Sequence, residues 1–264
     1  MTLKEQRSML GDQLNFAAAE AYKLLRANLT FSLPDEQKCR VVGVTSAVRG
    51  EGKSTTSINL AYTLAETGKR VLLVEADMRR PQLAHRLAID AAPGLSNLLA
   101  GLCREKDVVQ DVGLLENMKV ITSGDVPPNP SELLGSERMS TVVETLAQSF
   151  DFIIFDLPPV NAVSDGLVVS RFIQGMIVVV RQDYSDRQGL SAALRQLEYM
   201  HIKVLGFVMT HSSISGGRYG RYGRYGRYGR YGQYGRYESE SRETGADQER
   251  ARKTGSAKSR KSKR

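Results

Sequence analysis

The order of apolar and polar positions predicts that strands and helices alternate along most of the chain. Short runs of apolar, mostly β-branched residues predict buried strands at 39–46, 70–77, 118–125, 151–159, 175–181 and 203–210. Apolar residues at helical spacing predict helices at 15–33, 54–68, 131–150 and 187–200, the third with Ser131 as its N-cap. Continuous Val, Ile and Leu in strands that alternate with helices are typical of an α/β fold with a mostly parallel sheet covered by helices on both faces. Ligands of such sheets bind at the carboxyl ends of the strands, so we expect the loops after Ser46, Asp77 and Asp156 to converge on one site.

The composition changes abruptly near residue 216. From 216 to 264 the chain has no Ile, Leu, Val, Met or Phe, and its 11 Arg and 4 Lys against 4 Glu and 1 Asp give this segment a charge of +10, more than the +8 of the whole chain. Such a segment cannot offset the entropy lost on ordering, which predicts a disordered basic tail. We therefore expect three regions: an N-terminal helical oligomerisation segment (1–37), an α/β domain (38–215) and the tail (216–264).

The tail holds seven of the eleven tyrosines, spaced three apart within the triplets of residues 217–237, of which six are Gly-Arg-Tyr and one is Gly-Gln-Tyr. They are Tyr219, Tyr222, Tyr225, Tyr228, Tyr231, Tyr234 and Tyr237. A period of three fits neither a helix nor a strand, and collagen would require proline, which the segment lacks. Two interpretations stay open: the tyrosines are substrates on a flexible arm, or the tail is a low-complexity segment that binds RNA or another polyanion.

Other features limit the classes of protein that fit the sequence. Cys39 and Cys103 lack the spacing of a metal site or a disulfide framework, which is typical of a reducing compartment. The N-terminus has no apolar signal-peptide core, and the longest apolar run near the end, "MIVVV", is too short for a membrane span. We expect a soluble cytoplasmic protein.

The first chemical motif is "TSAVRGEGKST" (45–55), between a predicted strand and a predicted helix. Glycine-rich loops of this kind turn backbone N–H groups toward phosphates, and the helix N-terminus adds its positive dipole. Lys53 is expected to reach the terminal phosphates and the Ser54 hydroxyl to bind Mg²⁺. Ala47 stands where a strict phosphate loop has its first glycine. The expected phosphate-binding residues are Arg49, Gly50, Glu51, Gly52, Lys53, Ser54 and Thr55.

Two further motifs place carboxylates at strand ends. In "LLVEADMRRP" (72–81), Glu75 and Asp77 are two residues apart, which places both on one side of the pleat. In "FIIFDLPP" (152–159), an apolar strand ends in Asp156, the arrangement of a Walker B acid that holds Mg²⁺. Buried acids beside a phosphate loop need a cation. The three motifs predict a P-loop nucleotide hydrolase or kinase that uses ATP and Mg²⁺.

The motifs together resemble those of the bacterial tyrosine kinase family, the autokinases of capsule and exopolysaccharide synthesis. The similar segments are "SAVRGEGKST", "VEADMRRP", "IIFDLPPV", "GDVPPNPSELLGS" (124–136) and "EAYKLLRANL" (20–29). The last resembles the family's ExxRxxR element, associated with ring-shaped oligomers, and corresponds to Glu20, Lys23 and Arg26. Glu75 and Lys23 depart from the family's usual Asp and Arg, and Thr210 stands where the family often has Asn near the nucleotide base.

The resemblance implies a catalytic set of Lys53, Glu75, Asp77 and Asp156. Ser54, Asp77 and Asp156 would hold Mg²⁺, and Glu75 would accept or orient the phenol proton, with Asp77 as the second choice. Arg79 and Arg80 would contact the entering tail or phosphates, or form salt bridges.

The resemblance also implies phosphorylation of the tail tyrosines by a neighbouring subunit. It further implies a homo-oligomeric ring, a cognate tyrosine phosphatase, and a separate membrane-anchored activator that recruits the kinase to the inner face of the plasma membrane. The basic tail would contact anionic membranes or another polyanion until phosphorylation reverses its charge. The alternative is a switch ATPase of the ParA/MinD type, but Val48 occupies the position of the lysine that those proteins use across a dimer.

Overall fold

The computed structural model describes residues 10–33 and 37–212, and these residues form a seven-stranded, mostly parallel sheet covered by helices. The strands are β1 (Arg40–Ser46), β2 (Val71–Glu75), β3 (Gln110–Asp111), β4 (Met118–Ile121), β5 (Phe152–Asp156), β6 (Met176–Arg181) and β7 (Val204–Thr210). Their order across the sheet is β3-β4-β2-β5-β1-β6-β7, and only β3 runs antiparallel to its neighbour. The predicted α/β architecture is confirmed. The predicted tail and its tyrosines lie outside the described residues.

Nine α-helices occur among the described residues. They are α1 (Phe16–Ser32), α2 (Lys53–Ala65), α3 (Leu83–Leu87), α4 (Leu95–Leu99), α5 (Glu105–Val108), α6 (Pro130–Leu134), α7 (Glu137–Ser149), α8 (Asp165–Val169) and α9 (Arg187–Tyr199). None of the helices in the described ranges has the length and apolarity needed to cross a membrane.

The central strands β1, β2, β5 and β6 bury both of their faces, which explains their continuous apolar sequences. The edge strand β7 differs, because Phe207 and Met209 are exposed. Along β1, Val41 belongs to one core cluster, whereas Val42 and Val44 belong to the other. The first cluster is closed by α7 and α9, and the second by α1 and α2. The sheet therefore lies between two helical layers, and its carboxyl edge remains accessible for a site.

The predicted helix 131–150 is wrong in one respect, because the chain forms two helices there. α6 begins at Pro130, one residue before the predicted N-cap Ser131, and ends before Gly135. Ser136 then caps α7, its hydroxyl accepting a hydrogen bond from the N–H of Met139 at 3.3 Å. A serine that satisfies a backbone donor starts a new helix rather than continuing the old one. The predictions also missed β3 and the helices α3, α4, α5 and α8, which are too short to show a period.

The N-terminal helix α1 begins as predicted, with Asn15 as its N-cap. Leu29 of this helix is buried in the core, whereas Phe16 in its first turn is 61% exposed. The three residues of the expected oligomerisation element have different surroundings. Glu20 and Lys23 form an exposed ion pair with each other at 2.8 Å, whereas Arg26 Nη1 donates a hydrogen bond to the carbonyl of Thr63 in α2 at 2.6 Å.

Candidate active site

The loop between β1 and α2 has the geometry of an anion-binding nest. Gly50 and Gly52 have φ values of +81° and +101°, which favour glycine, and α2 begins directly after Gly52. Within the described part of the chain, the backbone N–H groups of residues 49–55 have no hydrogen-bond partner, and the first helical bond is donated by Thr56 to Gly52. Unpaired N–H groups at a helix N-terminus suit a phosphate chain.

Lys53 joins the loop to the two neighbouring strand ends. Its Nζ lies 3.1 Å from Asp77 Oδ2 and 3.4 Å from Asp156 Oδ1, and the three side chains are 12%, 9% and 0% exposed. Burial alone would lower the pKa of Lys53, but the charges of Asp156 and Asp77 outweigh it and hold the pKa above its ordinary value. Lys53 is therefore a buried cation at the meeting point of the three predicted loops.

Asp156 has spare coordinating capacity. Its Oδ1 accepts a hydrogen bond from Ser57 Oγ at 3.3 Å in addition to the contact with Lys53, but its buried Oδ2 has no partner among the described residues. An unpartnered carboxylate oxygen in a buried position is unfavourable unless a cation or donor binds it. Ser54, whose Oγ is 3.4 Å from Lys53 Nζ, supplies an adjacent hydroxyl. These oxygens fit Mg²⁺, which prefers carboxylates, phosphates and waters to a cage made only of protein ligands.

Glu75 has different contacts from Asp77. Its Oε1 accepts hydrogen bonds from the N–H groups of Gln82 and, at 2.8 Å, Leu83, and its Oε2 accepts one from Ser123 at 3.2 Å. Burial raises the pKa of Glu75, although the bonds from Leu83 and Gln82 oppose that shift. Asp77 lies beyond the end of β2 and contacts the ammonium of Lys53, whereas Glu75 contacts backbone N–H groups.

The segment after Asp77 is held by a buried carboxylate that the sequence analysis missed. Arg79 binds Asp165 with two hydrogen bonds, from Nε to Oδ2 at 2.7 Å and from Nη2 to Oδ1 at 3.1 Å. Ser131, within the "GDVPPNPSELLGS" segment, donates to the same Oδ1. Of the two expectations for Arg79, the salt bridge is the one observed. The resemblance of residues 124–136 to the family was the sequence feature that pointed to Ser131 and hence to this network.

The side chains of Glu51 and Thr210 make contacts that the sequence did not predict. The Glu51 side chain turns away from the row of unpaired N–H groups: its Oε2 accepts a hydrogen bond from Val48 N at 2.8 Å, and its Oε1 accepts one from Ser185 Oγ. Thr210, which we associated with the nucleotide base, donates from Oγ1 to the Glu51 carbonyl at 2.6 Å. No cluster of three or more His, Cys, Asp or Glu residues suitable for a metal occurs within 10–33 and 37–212.

Comparisons with known proteins agree with the site. The family model described as AAA domain matches residues 39–205. Tyrosine-protein kinase YwqD of Bacillus subtilis (strain 168) is 34% identical over 197 residues, which cover 75% of this chain and 82% of that protein. Two solved structures are similar. The kinase domain of Escherichia coli tyrosine kinase ETK has 33% identity and a TM-score of 0.69, over 74% of this chain and 78% of that one. The chimerical protein CapA2B2 has 31% identity and a TM-score of 0.72, over 78% and 89%.

Proposed function

The chain belongs to the family of bacterial tyrosine-protein kinases, and we propose that it transfers the γ-phosphate of ATP to the tyrosines of its own C-terminal segment. The observation that carries the proposal is the buried group formed by Lys53, Asp77 and Asp156 beside a loop of unpaired N–H groups. The switch-ATPase alternative has less support, because relatives at this level of identity are named tyrosine kinases and the chain carries seven clustered acceptors.

Different groups of the chain would bind the phosphates of ATP and the Mg²⁺ ion. The N–H groups of residues 49–55 would hold the phosphate oxygens, and Lys53 would exchange part of its contact with the carboxylates for the β- and γ-phosphates. Ser54, Asp77 and Asp156 would hold Mg²⁺. When bound, Mg²⁺ would neutralise the negative charge that develops on the phosphates during transfer.

Asp77 is better placed than Glu75 to take the proton of the acceptor. The phenol oxygen of a tyrosine forms a bond to the γ-phosphorus, the bond from that phosphorus to the ADP oxygen breaks, and the phenolic proton passes to a carboxylate. Both oxygens of Glu75 already accept backbone hydrogen bonds. Asp77 lies beside Lys53, and among the described residues its Oδ1 accepts a hydrogen bond only from the N–H of Arg80. We therefore propose that Asp77 accepts the proton. Glu75 would instead hold the segment around Gln82 and Leu83 through its hydrogen bonds to their N–H groups.

The acceptors would be the tyrosines between Tyr219 and Tyr237, presented by one subunit to the site of another. A segment of 18 residues reaches up to about 60 Å when extended, enough to enter a neighbouring site. Each phosphotyrosine adds about −1.5 to −2 of charge, so full modification would cancel or reverse the charge of +10. That change would release the tail from anionic membranes or other polyanions.

The resemblance to the family supports a proposal for the partners and location of the protein in the cell. We propose a homo-oligomeric ring, supported by the ExxRxxR-like element, in which exposed Glu20 and Lys23 are available for contacts between subunits. We also propose a separate membrane-anchored activator that recruits this cytoplasmic kinase to the inner face of the plasma membrane, and a cognate phosphatase. The similarity to the chimerical protein CapA2B2 supports a partner. The resemblance of the motifs to the autokinases of capsule and exopolysaccharide synthesis supports a role in the synthesis and export of such a polysaccharide.

The test combines phosphotyrosine detection with intact-mass measurement on purified protein in the presence of ATP and Mg²⁺. It is run with and without the cytoplasmic segment of a candidate activator. Wild type should gain phosphates in steps, K53M should gain none, and K69M, which alters an exposed lysine, should behave as wild type. Nucleotide hydrolysis without tyrosine phosphate, even with activator, would favour the switch ATPase.

Transfer between subunits is tested by mixing two variants. A chain truncated after residue 215 keeps the site but has no acceptor tail, whereas full-length K53M keeps the tail but lacks the lysine. Phosphate on the K53M chain in the mixture would support transfer between subunits. A mixture that stays unphosphorylated, while wild type is modified, would contradict it.

A further inference from the structure

We propose that side chains from the carboxyl ends of β6 and β7 act as a brace that holds the phosphate loop in its anion-binding conformation. The brace consists of Tyr184, Arg181 and Thr210, which we assign as positioning residues for ATP. The inference rests on the proposed nucleotide site and adds residues that lie on the outer side of the loop. The three residues are remote in sequence from the phosphate-loop motif.

Three consecutive carbonyl oxygens of the loop, those of residues 49–51, each accept a hydrogen bond from a different side chain. In chain order the donors are Tyr184 Oη at 3.0 Å, Arg181 Nη1 at 3.1 Å and Thr210 Oγ1 at 2.6 Å. The carbonyl of Val48 is held in the same way by Ser46 Oγ at 2.7 Å. Side-chain donors therefore occupy the outer side of four successive peptide groups.

The direction of these carbonyls sets the direction of the phosphate-binding N–H groups. A trans peptide is planar, so the carbonyl of one residue and the N–H of the next point in opposite directions. Holding the carbonyls of residues 49–51 outward turns the N–H groups of residues 50–52 inward, where they have no protein partner among the described residues. The brace therefore aligns donors before ATP arrives, which lowers the cost of ordering them on binding.

The brace is tied together by further contacts. The guanidinium carbon of Arg181 lies 4.9 Å from the centre of the Tyr184 ring, so the two donors support each other through a cation–π contact. The buried carboxylate of Glu51 accepts from Val48 N and from Ser185 Oγ, which anchors the loop to the segment after β6. An added Cβ at Gly52 would approach Thr210 Cγ2 to 3.1 Å, so Thr210 packs directly against the loop.

The experiment measures the dissociation constant of ATP with a fluorescent ATP analogue, together with KM and kcat for autophosphorylation and Tm without nucleotide. T210V removes the hydroxyl but keeps the shape, and T210S restores the hydroxyl. Y184F removes only the phenol oxygen, and Y199F is its control because Tyr199 is an exposed tyrosine outside the site. T210V should weaken ATP binding by about threefold to tenfold, and Y184F should have a smaller effect in the same direction.

The pattern of results decides the inference. KM should rise with the dissociation constant in T210V and Y184F while kcat changes little, and T210S and Y199F should match wild type. If T210V and Y184F bind ATP as tightly as wild type, or only lower Tm, the brace is not a positioning device. Wild type that binds no ATP would instead overturn the proposed function and the brace with it.

Discussion

The charged side chains at the two ends of the sheet differ in how deeply they are buried and in how completely they are hydrogen-bonded. At the carboxyl end, Lys53 and Asp156 are almost fully buried, and one oxygen of Asp156 has no partner in the described structure. At the amino end, Arg70 and Asp151 join the starts of β2 and β5 with side chains that are 51% and 29% exposed. Both oxygens of Asp151 accept hydrogen bonds from Arg70.

The contrast separates charges that serve the fold from charges that require a ligand. Burying a polar group is unfavourable unless it is hydrogen-bonded, so an incompletely paired carboxylate persists where binding completes it. Asp165 shows that burial alone does not define the difference, since it is as buried as Asp156 but both its oxygens are paired. Incomplete pairing in a buried position marks the site.

The largest expected effect is on activity, in the variant D156N. Phosphotransfer should fall by about 100-fold or more, because several kcal/mol of charge stabilisation would depend on the metal that we propose Asp156 holds. Tm without nucleotide should not fall, since the variant removes a buried charge with an unpaired oxygen. Autophosphorylation rates and thermal melting measure the two effects, and a protein that melts well below wild type would make Asp156 a structural residue.

The variant D165N should have its main effect on stability. The buried carboxylate accepts from Arg79 and Ser131, so its replacement should lower the free energy of unfolding by about 2–4 kcal/mol. Denaturant unfolding measures the loss, with S131A as the milder control that leaves the Arg79 pair in place. Equal stability of D165N and wild type would remove the distinction between Asp165 and Asp156.

A smaller effect is expected in the pH dependence of E75Q. Burial raises the pKa of Glu75 above its ordinary value of 4.5. A carboxyl with a raised folded-state pKa contributes its stability below the unfolded pKa, and the contribution is lost as pH rises through the folded pKa. The Tm of wild type relative to E75Q should therefore decrease as pH rises above 4.5. A difference that grows with pH would contradict the assignment.

The smallest effect, of opposite sign, is expected for D151N at the amino end. Hydrogen bonds from Arg70 hold the pKa of Asp151 below its ordinary value of 3.8. Its contribution is present above that value and is lost as pH falls through the folded pKa. D151N should lower Tm by no more than about 3 °C near neutral pH, because exposed ion pairs stabilise little. Melting at a series of pH values tests whether the difference narrows only in acid.

Some contacts of the site could be predicted from the sequence, and others could not. The approach of Lys53, Asp77 and Asp156 was predictable, because parallel strands bring their carboxyl ends to one edge. The Arg79–Asp165 pair joins residues 86 apart, and the Tyr184–Arg49 contact joins residues 135 apart. Contacts at such separations leave no local pattern in a single sequence, since helix and strand periods report only burial and local conformation.

The sequence by itself determined which segments form the buried strands, where the phosphate loop lies and which acids end the strands. These features depend on neighbouring residues and on the direction of parallel strands. Only the tertiary structure decided that Glu75 accepts hydrogen bonds from backbone N–H groups and that both oxygens of Asp165 are paired. It also decided that one oxygen of Asp156 has no partner within residues 10–33 and 37–212. Whether a buried polar group finds all of its hydrogen-bond partners depends on how segments remote in sequence pack together. This is decided only when the fold has formed.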